Sequence, residues 1–404
     1  MTTALTSIPA TKYEAHYDPK KVLTHPEFKI LEQGAPELDS REENIACTYN
    51  PQHEVKMVRK GRVEPGEGEV TVHVKATGIC GSDVHFWRHG AIGPTMIVSD
   101  TCGAGHESAG IITKIGPGVT QWSVGDRVAI EAGVPCPSVV FFSTPPYHGT
   151  LTRFHNHPAA WLHALPDNLS YEEGSLCEPL AVALAGLERA GVRLGDPIVI
   201  CGAGPIGLVT LLSAHAAGCT PILITDLLPS RLAFAQSLVP SVIPVLIDRQ
   251  DTPEEVASRI KEKAGVELGL AVDCTGFESS IRAGIYSVKF GGKVFVIGVG
   301  PSEQSVSPLP PSPPSPPSPP LPSPRSPLTS SHQYPFGYCS ANEIDLQFQY
   351  RYANQYPKAL RLVASGLINL KPLVTHRFEL KDACEAFGVA GDPGAGAVKV
   401  QVHD

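Results

Sequence analysis

Val199-Ile-Cys-Gly-Ala-Gly-Pro-Ile-Gly-Leu-Val-Thr-Leu-Leu-Ser-Ala-His-Ala-Ala-Gly218 decides the fold of this chain. A short apolar run ends in Gly202-x-Gly204-x-x-Gly207 and passes at once into a helix-period segment closed by Gly218. A strand, a tight glycine turn and a helix N-terminus in that order present backbone N–H groups and the positive end of a helix dipole to an anion, the cradle of a pyrophosphate. The first glycine makes the turn, the second lets backbone approach phosphate, and the third lets helix pack on strand. Alone the pattern is weak, but the next run, Pro221-Ile-Leu-Ile-Thr225, ends in Asp226, twenty-four residues past Gly202, about where a ribose-binding acid is expected. The expected cofactor contacts are Gly202, Gly204, Pro205, Ile206 and Gly207, with Asp226 and then Arg231. Asp226 would accept from ribose hydroxyls and repel a 2′-phosphate, and no basic residue follows it before Arg231, so NAD is favoured over NADP.

Outward from this motif, residues Gly195 to Gly300 alternate strand, helix, strand, helix, which predicts a parallel sheet covered on both faces. One helix start is explicit, with Thr252 as N-cap, Pro253 at the first helical position and Glu255 closing a capping box. The run Gly269–Cys274 predicts a later strand of this domain, and so does Lys293-Val-Phe-Val-Ile-Gly-Val-Gly300, which ends in glycines as strands do where backbone lies close to a ligand. Upstream, Glu69-Val-Thr-Val-His-Val-Lys75 alternates apolar and polar residues, and Val124–Ile130 follows a turn at Gly116 and Gly118, so a mostly β domain precedes the nucleotide motif. Past residue 340 a helical stretch, Pro357–Ala364, and short strands are too small to stand alone and are expected to complete that first domain. The expected boundaries are an irregular extension over 1–43, a mostly β catalytic domain over 44–182 and 341–404, and a nucleotide domain over 183–340, the whole being α/β.

Composition narrows the partners. The 404 residues carry a net charge of −8 with no basic stripe, which argues against nucleic acid and anionic membrane surfaces. No apolar run is long enough to span a bilayer, and the polar N-terminus lacks the features of a secretory signal, so the expected location is the cytoplasm. The ten cysteines are scattered, which suits reduced thiols better than a disulfide framework.

Two further glycine-flanked turns carry metal-binding chemistry. Gly78-Ile-Cys-Gly-Ser-Asp-Val-His-Phe-Trp-Arg-His-Gly90 places the Cys80 thiol just past a strand, and Gly105-His-Glu-Ser-Ala-Gly110 places an imidazole and a carboxylate on another turn. A Cys, a His and an acid can make three ligands of a tetrahedral zinc whose fourth position stays open, the mark of a catalytic rather than a structural ion. Singly, Cys80 reads as a buried thiol and His106 as a satisfied histidine; their pairing with a nucleotide motif favours the metal, because a hydride acceptor needs an alcohol to lose its proton first.

Together with Leu176-Cys-Glu-Pro-Leu-Ala-Val-Ala-Leu-Ala-Gly186, Ile224-Thr-Asp226 and Gln349-Tyr-Arg-Tyr-Ala-Asn-Gln-Tyr-Pro357, these motifs resemble the zinc-dependent medium-chain dehydrogenases, and within them the polyol branch that acts on arabinitol, xylitol or sorbitol. The resemblance runs from about Asn44 to Val402. It implies a GroES-like β domain plus a Rossmann domain, a homo-oligomer of tetramer type, and oxidation of a small polyol by hydride transfer to NAD. It implies Cys80, His106 and Glu107 as ligands or near-ligands of one catalytic zinc, with Glu178 beside the metal. Ser82 and His85 would lie near the substrate, and Arg351 and Tyr352 would hold polyol hydroxyls or the zinc water. From the residues alone, Glu178 reads equally as a helix cap and Arg351 as a surface ion-pair partner.

Two departures stand out. Many relatives bind a structural zinc through four closely spaced cysteines; here Ala132-Gly-Val-Pro-Cys136 opens that lobe but the other three are missing, so no structural zinc is expected. Residues 308–327 hold twelve of the chain's 39 prolines in a Ser-Pro repeat that can neither pair as a strand nor bury a core. Deleting 306–333 joins Ser305 to Tyr334 and restores a family-like sequence, so the run reads as an insert. The rival from a different class is an inactive NAD-binding scaffold whose proline run recruits partners.

Overall fold

The structure is a computed structural model that describes residues 28–93, 95–135, 140–300, 304–306 and 332–404. Residues 1–27 of the extension, Cys136 and the body of the proline-rich insert lie outside the described residues. The rest forms two compact units, one comprising the chain up to Ala181 together with Ala353–Asp404, the other Val182–Tyr352.

The alternating run at Glu69 becomes the central strand of the first unit, Glu69–Gly78. Val70, Val72 and Val74 on it are buried against Ile112, Val128, Ile130 and Leu162. Each such fully buried aliphatic contributes about 1.5–3 kcal/mol, which is why the alternation fixes which face turns inward. The strand pairs antiparallel with Glu107–Ile115, Phe154–Pro158 and Lys399–His403, the last more than three hundred residues from it in sequence. The final segment thus joins this sheet, with Val374–Glu379 parallel to Lys399–His403 at the edge.

A second, four-stranded sheet runs in the order Phe28–Ile30, Val55–Lys60, Ile45–Tyr49, Cys102–Gly103. Its core is Ile45, Cys47, Tyr49 and Met57 with Phe86 and Phe387. Phe28–Ile30 lies within the stretch expected to be irregular. It is a three-residue edge strand pairing only with Val55–Lys60, too short and too exposed to leave a periodic signal.

The second unit holds six parallel strands in the spatial order Ile243–Leu246, Ile222–Asp226, Ile198–Cys201, Leu268–Asp273, Val288–Val296, Asp345–Phe348. Numbered along the unit this is 3-2-1-4-5-6, the Rossmann order. The central strand is buried throughout, because helices cover both faces of such a sheet. The capping box forms as the sequence predicts: Glu255 N–H donates to Thr252 Oγ1 at 3.2 Å and Thr252 N–H donates to Glu255 Oε2 at 2.8 Å, while Gly265 ends the helix in the left-handed region. The sixth strand lies past residue 340, where the sequence reading ended this domain. Its four residues sit at the sheet edge and alternate only weakly in burial, so periodicity could not announce it. Gln304–Val306 and His332–Tyr334 pair with each other in parallel and bracket the insert.

Asp404 ties the last strand of the first unit to its centre. Arg153, 5 % exposed in its side chain, donates to both Asp404 oxygens at 2.8 Å, and His73 Nε2 lies 2.7 Å from Oδ2. Burial alone would raise the Asp404 carboxyl, but hydrogen bonds from His73 and Arg153 and the charge of Arg153 hold it well below the usual carboxylate range. A carboxyl depressed in the folded state contributes stability that is present above its unfolded pKa, about 4, and lost as pH falls toward the folded value. Asp404→Asn should therefore lower the unfolding free energy by about 3 kcal/mol at pH 7, since it leaves a buried guanidinium without its counter-ion. Denaturant melts of the two proteins should converge as pH drops below about 4.

Candidate functional site

Strand register builds the metal-type site. In the central pair Gly78 stands opposite Glu107, and Gly78 also stands opposite Gln401 on the other side. Cys80 follows Gly78 by two residues and precedes the helix Gly81–His89, so its thiol sits at the same end of the sheet as Glu107. Gly78 leaves room for Glu107: a Cβ there would lie 2.1 Å from Glu107 Oε2, so the carboxylate would have to shift. One ligand atom each from Cys80, His106 and Glu107 lies within 4.8 Å of the other two. Zinc bond lengths of about 2.0–2.3 Å put tetrahedral ligands about 3.5 Å apart, so modest side-chain rotation closes the group on an ion. The donors fit: a thiol, an imidazole and a carboxylate are a catalytic zinc's mixture, with His106 and Glu107 buried and Cys80 only half-buried. His106 Nδ1, buried and 3.5 Å from Asp83 Oδ2, makes no well-formed hydrogen bond.

Asp83 and Lys399 complete this group, and neither was singled out in the sequence. Asp83 is fully buried, accepts from the backbone N–H of Cys80 and of Gly105, both at 3.3 Å, and accepts from the Ser143 hydroxyl. It ties both ligand turns together and stands 3.5 Å from the His106 imidazole. Burial would raise the Asp83 carboxyl, but His106, Ser143 and the Gly105 N–H hold it low; in turn burial would lower the His106 imidazole, and Asp83 and Cys80 raise it well above its ordinary value. Ser143 is held at φ 61°, with its carbonyl accepting from Tyr49 Oη at 2.9 Å. Lys399 Nζ lies 2.7 Å from each oxygen of Glu107, inside the sheet. Burial works against its charge, yet Glu107 and Cys80 hold its pKa above the ordinary value. The strand Lys399-Val-Gln-Val-His403 alternates polar and apolar residues, which reads as a solvated lysine face, yet Lys399 is buried, so the sequence carried no signal for this pairing.

The other expected residues fall as follows. Glu178 is buried in the first turn of the helix Cys177–Ala190, and its charge acts on Lys399. Ser82 is half-buried on the helix after Cys80, and His85 is exposed one turn on with its ring 4.5 Å from that of His89. Arg351 and Tyr352 belong to the second unit, Tyr352 buried and Arg351 lying over the Tyr350 ring at 4.9 Å.

In the second unit the glycine turn has the expected form. Gly202 adopts φ 98°, and Gly207 has no room for a side chain, because a Cβ would lie 1.8 Å from the Gly202 carbonyl oxygen. Around Gly204 a Cβ would meet nothing within 4 Å, which leaves the N-terminus of Pro205–Ala216 open to a phosphate; Pro205 and Ile206 form its first turn. Asp226 braces the turn: Ala203 N–H donates to its Oδ2 at 2.8 Å, Leu228 N–H to its Oδ1 at 2.9 Å, and Arg231 lies 3.7 Å away. Each oxygen keeps a lone pair for a ribose hydroxyl. Asp273, which the sequence did not flag, accepts from Thr275, Gly276 and Ser280 and shapes the loop against which Gly202 packs.

Comparison with known proteins agrees with both halves. Residues 66–167 match the family described as Alcohol dehydrogenase GroES-like domain, and residues 205–314 the family described as Zinc-binding dehydrogenase. The chain is 50% identical over 383 residues to an L-arabinitol 4-dehydrogenase of Aureobasidium melanogenum, covering 89% of this chain and 96% of that protein. It is 46% identical to the Aspergillus oryzae L-arabinitol 4-dehydrogenase, over 89% of this chain and 94% of that one. The sorbitol dehydrogenase of Bos taurus is 37% identical, over 86% and 93%. Among solved structures, an Escherichia coli oxidoreductase of unknown specificity superposes with TM-score 0.75 at 29% identity, over 89% of this chain and 99% of that one. The 2R,3R-butanediol dehydrogenase of Bacillus subtilis gives 0.74 at 25%, over the same shares.

Gly78→Ala tests the cradle. The added methyl must push the Glu107 carboxylate off its position, so the variant should keep the parent's far-UV circular dichroism but hold clearly less than one zinc per chain by plasma mass spectrometry; an undiminished zinc content would show that the carboxylate is not needed.

Proposed function

We infer that this chain, which belongs to the zinc-binding alcohol dehydrogenases with a GroES-like domain, oxidises a polyol with NAD, L-arabinitol to L-xylulose first and xylitol or sorbitol next. The observation that carries the reading is the convergence of Cys80, His106 and Glu107 at one end of a sheet, with one donor atom from each within 4.8 Å of the other two. Cys80, His106 and Glu107 would hold zinc, with Glu178 beside them. Zinc supplies Lewis acidity that makes a secondary hydroxyl easier to deprotonate. The chain's own residues do the rest. Asp83 and Lys399 hold the ligand side chains. Glu178 or Ser82 passes the hydroxyl proton toward solvent. Arg351 and Tyr352 hold the remaining polyol hydroxyls. Gly202, Gly204 and Gly207 seat the pyrophosphate, and Asp226 accepts from the ribose and disfavours a 2′-phosphate.

The 50% identity to an L-arabinitol 4-dehydrogenase supports L-arabinitol over sorbitol as the first substrate to try. This reading takes the enzyme as a cytoplasmic homo-oligomer acting on a small molecule; no described helix is long and apolar enough to cross a membrane. The test is NADH formation by the zinc-loaded chain on L-arabinitol, xylitol and sorbitol. L-arabinitol should give the highest kcat/KM, and Cys80→Ala should abolish turnover. A zinc-loaded chain that turns over no polyol but binds NADH would instead support the scaffold reading. Asp226→Asn should lower kcat/KM for NAD by about tenfold, the loss of about 1.4 kcal/mol from a charge-assisted hydrogen bond, and narrow the preference over NADP; an unchanged ratio would remove Asp226 from cofactor selection.

A further inference from the structure

We propose that Lys399 is a built-in stand-in for the metal: its ammonium pairs with Glu107 so that the ligand group stays folded when no ion is bound, and it yields part of that carboxylate when the ion arrives. The inference rests on the metal-site reading above.

Glu107 is 1 % exposed in its side chain and Lys399 5 %, so both charges are withdrawn from water. Both carboxylate oxygens accept from the one ammonium at 2.7 Å, and its further hydrogen bond runs to the Ile79 carbonyl at 3.4 Å, on the residue before Cys80. Lys399 is therefore anchored to the backbone of the Cys80 turn as well as to Glu107. The same carboxylate is one of the three groups that converge for the ion. Among the described residues the Glu107 carboxylate accepts from Lys399 alone, so one of two cations serves this buried charge: the ion, or the lysine. Lys399 is fixed in a strand that pairs with the Gly78 end of the central strand, so it cannot leave when the ion binds. Its charge then stands close to the incoming ion and weakens its binding. This makes Lys399 a positioning residue that exchanges metal affinity for the stability of the empty site.

The test uses the full chain stripped of metal with a chelator and then reloaded with zinc. Thermal midpoints and zinc affinity by competition with a chromophoric chelator are measured for the parent, Lys399→Met, Lys399→Arg and the double variant Glu107→Gln with Lys399→Met. The metal-free midpoint of Lys399→Met should fall well below the parent's, and its zinc-induced rise should be the larger. Its zinc affinity should be at least about tenfold tighter, the removal of a nearby positive charge. The double variant should regain most of the metal-free stability, and Lys399→Arg should stay near the parent. Lys399→Met that folds only with zinc, alongside a folded double variant, supports the proposal equally. Equal losses with and without zinc, or a double variant no more stable than Lys399→Met, overturn it by showing that the lysine merely packs. If the parent itself shows no zinc response, the metal-site reading fails and this proposal falls with it.

Discussion

A carboxylate taken out of water needs hydrogen-bond donors or a cation beside it, and the first unit supplies a cation at Glu107. Placing Glu107 opposite Gly78 lets its side chain fold across a position with no Cβ. Adding the strand that begins at Lys399 along the same end supplies the ammonium. Once these two registers are set, Cys80 and His106 follow, because each sits within two residues of the Gly78–Glu107 pair. A one-residue slip in either pairing would turn Glu107 or Lys399 to the opposite face and leave the other charge alone in the core. The chemistry and the sheet register are in this sense one requirement.

The same economy recurs around His106. Asp83 lies in the first turn of the helix after Cys80, yet its oxygens reach the Cys80 and Gly105 N–H groups and the imidazole. One buried carboxylate thus fixes both ligand turns. Ser143, in a left-handed conformation that non-glycine residues seldom take, donates to that carboxylate, so a segment outside both ligand turns also takes part in holding it.

The nucleotide unit solves a different problem, how to keep backbone N–H groups aimed at open space. Gly207 packs its helix against the Gly202 carbonyl, Asp226 ties down Ala203, and Asp273 organises the loop beside Gly202. The space around Gly204 is left clear. Asp226 is a structural brace of the turn, which its spacing from Gly202 alone does not disclose.

What the sequence by itself determined is whatever local chemistry dictates. The Gly202–Gly207 turn, the Thr252 capping box, the alternating strand at Glu69 and the thiol, imidazole and carboxylate donors of Cys80, His106 and Glu107 are all spelled within a few residues, because turn geometry, helix caps and side-chain period act over that range. The short edge strands Phe28–Ile30 and Asp345–Phe348 escaped it, since an exposed strand of three or four residues has no period to read. Only the tertiary structure decided that Lys399, nearly three hundred residues from Glu107, is its counter-ion, and that Asp83 rather than a more conspicuous residue holds His106. Pairing between distant strands is set by the sum of many buried contacts across the sheet, and no single stretch of sequence carries that sum.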